Sequence, residues 1–137
     1  MAVKMRGESV GKTGMLLVHE PSGATLRTEA PVDNGGDGSS FSPTDLGAVS
    51  LGACACTIMR LYAARNGLPL DAVAFELEKH MHAAPRRLGR IVVTYRLTLG
   101  PDAADDAFSR LEAAGRTCPI RLSLGPDVIV EERYERA

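Results

Sequence analysis

The chain has 137 residues, 16 basic against 17 acidic, a formal net charge of -1 at pH 7, and three cysteines. That length makes one domain, residues 1–137, able to bury a core without a disulfide framework or structural metal. A hydrophobic share of 45% and a charged share of 24% exclude disorder, while near-neutral charge, 4% aromatics and no Trp exclude a nucleic-acid footprint and a base-stacking platform.

The first segment, Met1 to Val10, lacks the apolar core of a signal peptide; a strand around Val3 to Glu8 is the expectation there. Met15 to His19 and Ala24 to Ala30 read as a strand pair, turning at Glu20-Pro21-Ser22-Gly23. Asp33 to Ser42, rich in Gly and Ser, reads as a flexible loop. Ser42-Pro43-Thr44-Asp45 has the order of a helix start: a capping hydroxyl, proline at the first helical position, and a carboxylate in the first turn. The helix should run to Asn66-Gly67, a left-handed stop. Leu46, Val49, Leu51, Ala53, Ile58, Met59 and Leu61 make it apolar on nearly every side, the mark of a buried helix. Arg60 interrupts the run short of the roughly 20 residues of a membrane span, so no membrane is expected.

Ala72 to His82 and Arg90 to Leu99 alternate in polarity. Val73, Phe75, Leu77 and Met81 oppose Glu76, Glu78, His80 and His82; Ile91, Val93, Tyr95 and Leu97 oppose Arg90, Thr94 and Arg96. Both read as half-exposed antiparallel strands joined by a loop through Pro85 and Gly89. Asp102 to Gly115 is an amphipathic helix, Thr117-Cys118-Pro119 opens a short helix reaching Leu124, and Val128 to Tyr134 is a last strand. The order implies an α+β fold, mainly antiparallel sheet against a central helix. A sheet covers one flank of that helix, and a second subunit is the natural cover for the rest.

The odd cysteine count argues against a fully paired secreted scaffold, so the expectation is a cytoplasmic protein in a reducing compartment. Cys54 and Cys56, two apart on one helix, project roughly 200° apart and cannot meet. Cys118 precedes Pro119 at a helix start, where free amides favour a thiolate. One helix cysteine together with Cys118 would form a redox couple; the remaining thiol is best read as a small buried hydrophobe. His80 and His82 share a strand face that suits zinc by residue type, yet Glu76 and Glu78 make it a solvated face, and no metal is expected. His19 has no evident partner. Gly11-Lys12-Thr13 resembles the end of a phosphate loop without its upstream glycines, and Gly35 to Gly38 does not fit a dinucleotide loop.

Two separated motifs carry a family resemblance. Ser42-Pro43-Thr44-Asp45-Leu46 followed by Leu51-Gly52-Ala53-Cys54 resembles the central-helix signature of the OsmC/Ohr superfamily, the osmotically inducible and organic hydroperoxide resistance proteins. Cys118-Pro119-Ile120 resembles its second signature, and the similarity extends from about residue 11 to the C-terminus. The resemblance implies an intertwined homodimer with each long helix buried between sheets of both subunits. It implies a thiol peroxidase acting on organic hydroperoxides or hydrogen peroxide, with no metal, haem or flavin and with an external thiol or dithiol as reductant. By position, Cys54 would be the peroxidatic cysteine and Cys118 the resolving one; Cys56 has no family role.

In the hydroperoxide branch, an N-terminal-loop arginine activates the first cysteine and is held by a glutamate at the head of the central helix. Those positions fall here on Lys12 and Thr44, with Asp45 beside Thr44; Arg27 and Arg6 are other candidate cations. Lysine lacks the planar fork of arginine. Because both positions depart from the pattern, two further functions stand beside the peroxidase: a non-catalytic binder of a small apolar ligand, and a thiol redox sensor.

Overall fold

The computed structural model describes all residues, Met1–Ala137, and the chain divides into two compact units, Met1–Gly47 and Ala48–Ala137. In the first, β1 (Met5–Val10), β2 (Gly14–His19) and β3 (Thr25–Thr28) form an antiparallel sheet in the order β1-β2-β3. The β1–β2 turn uses Gly11 at φ 61°, a left-handed backbone that glycine adopts at no steric cost. The Gly-rich segment after β3 is a chain of hydrogen-bonded turns. Val32–Asn34 is a single 3-10 turn ending at Gly35 in the left-handed region. The Asp37 carboxylate accepts the Ser39 amide at 2.9 Å, and the Ser40 hydroxyl donates to the Arg27 carbonyl.

The long helix α1 (Pro43–Asn66) begins as its sequence dictates. The Ser42 hydroxyl accepts the Asp45 amide at 3.0 Å, and the Asp45 carboxylate accepts the Ser42 amide at 2.9 Å. This reciprocal pair satisfies two donors that the first turn would otherwise leave open. At the other end Gly67 takes φ 63°, and the Leu68 amide closes back onto the Ala63 carbonyl.

In the second unit β4 (Leu70–Ala83), β5 (Arg86–Leu99) and β6 (Ile129–Arg136) form a sheet ordered β4-β5-β6. β4 and β5 are antiparallel, as their alternation implies, and longer than their periodicity suggests. The strands continue to Ala83 and Arg86, and the turn is only Ala84-Pro85, with a cis peptide. Gly89 is therefore inside β5 rather than in a loop. It is the extra residue at a register shift, where His80 pairs with Arg90 and Met81 with Leu88. A Cβ there would lie 2.8 Å from the His82 ring, so only glycine lets the imidazole lie across the strand. β6 returns parallel to β5, with Val93 opposite Glu132 and Tyr95 opposite Tyr134. The crossover before it holds α2 (Ala107–Gly115) and α3 (Pro119–Ser123). Helix α2 starts five residues later than its amphipathic pattern suggests, because Gly100, Ala103 and Ala104 are spent on turns.

The core of this unit is Leu51, Ala55, Met59 and Ala63 of α1 against Ile91, Val93, Tyr95 and Leu97 of β5, with Leu111 of α2 and Cys118. Gly52 lets the helix come down on the sheet: a Cβ on it would stand 2.3 Å from the Phe75 ring. The opposite side of α1 is open, with Ala53, Thr57, Arg60 and Leu61 exposed. Burial of the helix on all sides is thus not reached within one chain, since one sheet covers one flank. By length and composition α1 would also suit a membrane span, but a core helix has the same composition.

Candidate active site

Helix α1 carries Cys54 partly exposed at its surface and Cys56 buried beneath it. The two thiols diverge as helical geometry requires. Cys118 comes from the junction of α2 and α3. Its backbone is extended (φ -63°, ψ 141°), Pro119 follows at the first helical position, and its sulfur accepts the Arg121 amide at 3.3 Å. Cys118 is fully buried, and the Cys54 thiol, packed against the same core, stands close enough to act on its protonation. The pair that the motifs singled out is therefore adjacent in space.

The protonation of Cys118 differs from the sequence expectation. The helix-start amide is present and favours the thiolate, yet burial outweighs it and pushes the thiol above its ordinary value. The neighbouring Cys54 thiol acts in the same direction as burial. Burial alone pushes Cys56 up to about 11, which leaves it inert at neutral pH.

Around Cys118 lies a polar cluster that sequence reasoning missed. The Glu132 side chain, 4% exposed, accepts Arg121 Nε on one oxygen at 2.5 Å and Arg116 Nη1 on the other at 3.3 Å. The Tyr134 hydroxyl donates to the same carboxylate at 3.4 Å, and the Arg116 guanidinium stands over the Tyr134 ring at 4.9 Å. Tyr134 stacks on Tyr95 with centroids 4.6 Å apart. The Tyr95 hydroxyl is fully buried without a hydrogen-bond partner, and burial raises the pKa of both phenols. A signal for the cluster does exist in the sequence. Val130, Glu132 and Tyr134 share the inward register of β6, so a carboxylate falls on the apolar face of a strand.

The other expected site residues lie in the unit Met1–Gly47. Lys12 is exposed in the β1–β2 turn. Arg27 on β3 is held by Glu29 at 3.4 Å, and the 3%-exposed Glu29 carboxylate also takes the Thr13 hydroxyl and the Ala30 amide. Thr44 shares a hydrogen bond with the Ser42 hydroxyl, and Asp45 completes the helix cap. Arg6 pairs with Glu20 at 3.8 Å, and His19 with the Ser22 hydroxyl at 2.6 Å. In the second unit, His80 and His82 are exposed on the outer sheet face, His80 beside Glu78 at 3.4 Å.

The family model described as OsmC-like protein matches residues 36–133, which include both cysteine motifs. The chain belongs to the OsmC-like family. A Psychrobacter arcticus structure, assigned to the osmotic stress induced and detoxification response, is 30% identical. That match covers 96% of this chain and 94% of that one, with a TM-score of 0.84. The organic hydroperoxide resistance protein OsmC of Legionella pneumophila is 18% identical over 98% of this chain and 97% of its own, with a TM-score of 0.75. The organic hydroperoxide resistance protein OhrB of Bacillus subtilis is 13% identical over 98% of each chain, with a TM-score of 0.63. The last two likenesses establish the OsmC-like fold. No curated protein sequence matches the chain.

Proposed function

We propose that this OsmC-like protein is a cytoplasmic, homodimeric thiol peroxidase that reduces organic hydroperoxides or hydrogen peroxide. The observation that carries the reading is the meeting of a partly exposed Cys54 with a fully buried, proton-holding Cys118. The Cys54 thiolate attacks the terminal peroxide oxygen. The O–O bond breaks, the sulfur becomes a sulfenic acid, and the departing alkoxide takes a proton to leave as an alcohol. Cys118 then attacks the Cys54 sulfur: the S–S bond forms, the S–O bond breaks, and the hydroxyl leaves as water with the thiol proton. An external dithiol restores both thiols by exchange.

The asymmetry of the pair fits this order. The first attack needs access for the peroxide, which Cys54 has. The second needs only proximity, and a protonated, buried Cys118 is spared direct oxidation until the sulfenic acid forms beside it.

Peroxide consumption under a dithiol reductant tests the reading. Wild type is expected to turn over many equivalents and Cys54→Ser none. Cys118→Ser should accumulate a sulfenic acid that a carbon nucleophile traps. Unchanged consumption by Cys54→Ser would overturn the mechanism. A second reading, a thiol redox sensor, is favoured by one observation: Thr44, at the family's glutamate position, and Asp45 beside it are engaged in the cap of α1. A single stoichiometric oxidation without turnover would select it.

A further inference from the structure

The two-cysteine scheme makes no use of the polar cluster around Cys118. We infer that Glu132 and Arg121 form a clamp that positions Cys118 against Cys54, which makes both of them positioning residues for disulfide formation. The inference rests on the cysteine pair proposed above and adds two residues to it.

Cys118 sits where two short helices meet, a joint that backbone geometry alone does not hold. Helix α3 has five residues, too few to be stable by itself in water. It is attached to the sheet by Ile120 and Leu124, which pack against the core, and by the Arg121–Glu132 ion pair, while Arg116, two residues before Cys118, takes the other oxygen of the same carboxylate. Glu132 thus grips the chain on both sides of the cysteine. The grip reaches the sulfur through Arg121 itself, whose main-chain amide donates to Cys118 Sγ while its side chain is tied to β6. The strand beneath is fixed in turn by its parallel pairing with β5 and by the Tyr95–Tyr134 stack.

A carboxylate buried to this extent is costly unless its lone pairs are used, and here two guanidiniums and a phenol use them. Both arginines are also part-exposed, so either can turn to water when Glu132 is lost, and the joint then loosens without leaving a buried cation behind. Alanine or lysine at 121 keeps the amide that caps Cys118. Removing the side chain therefore isolates the tether from the cap.

Disulfide formation against oxidised dithiothreitol tests the clamp without peroxide. In this exchange the Cys54–Cys118 bond forms as dithiothreitol is reduced, with atoms and electrons balanced between two dithiols. Mass spectrometry of proteolytic peptides measures the bond at equilibrium, giving the effective concentration of the two thiols. Arg121→Ala and Glu132→Ala are expected to lower it about tenfold or more, as a misplacement of about 1 Å would. Arg121→Lys, a point charge that still reaches the carboxylate, should recover part of the loss. Arg133→Ala, on the outward register of the same strand, should leave it unchanged.

Circular dichroism keeps the comparison to folded protein, and Arg121→Ala, half-exposed and outside the core, carries the test if Glu132→Ala does not fold. Wild-type effective concentration in Arg121→Ala, or an equal loss in Arg133→Ala, would overturn the clamp. Peroxide turnover measured in parallel separates the two proposals. A shifted thiol equilibrium with no turnover in wild type keeps the clamp and removes the peroxidase.

Discussion

At the scale of single residues, three thiols in one small core have three different fates. Cys56 is the cleanest case because one cause acts on it: burial pushes its pKa up to about 11, from an ordinary value of 9.0. A thiol is charged when deprotonated, so a raised folded pKa means that the unfolded chain gives up the proton first. Cys56 thus contributes full stability below about pH 9, and that contribution is lost as pH rises through about 11. Denaturant titrations should show stability falling across that window, with Cys118, Tyr95 and Tyr134 adding to the fall, and Cys56→Ala should make it shallower by about 2–3 kcal/mol. A wild-type curve level from pH 8.5 to 11 would refute it. The divergence of Cys54 from Cys56 was legible in their spacing alone. The protonation of Cys118 was not: a helix start argued for a thiolate, and the weight of burial above that amide depends on what packs around the sulfur.

At the scale of elements, most of the chain is readable because each signal is local. The Ser42–Asp45 cap, the Asn66-Gly67 stop and the alternation of β4 and β5 use only neighbours in sequence, and all lie where their residues put them. What failed was punctuation. Gly89 looks like a loop residue but occupies a bulge under the His82 ring, and Pro85 occupies a two-residue turn. Gly52 has a comparable role within α1. Nothing in the helix requires it, but the Phe75 ring occupies the place of its Cβ. Gly52→Ala should cost about 1–2 kcal/mol, the overpacking penalty less the gain in helix propensity, visible as a lower denaturation midpoint at unchanged slope. A midpoint equal to wild type would mean that Phe75 yields its position freely.

At the scale of the whole molecule, the single chain leaves apolar surface that its composition does not explain. Leu61 on the open side of α1 is 44% exposed, and in the other unit Met5 and Leu26 are 70% and 43% exposed on one sheet. Exposed apolar surface of this kind suits a subunit interface. Light scattering after size exclusion should give twice the 14.6 kDa of one chain, and a monomer mass at micromolar concentration would refute the homodimer. By itself the sequence determined the α+β class and the ends of the long helix, while the choice of Cys54 over Cys56 came from the resemblance of its motif to the family's. Capping, periodicity and motif spacing are written in neighbouring residues. Only the tertiary structure decided that β6 runs parallel to β5, that Cys118 stays protonated beside Cys54, and that Glu132 holds two arginines around it. Each of these depends on groups far apart in the chain, and their energies come from burial and pairing that exist only once the core has closed.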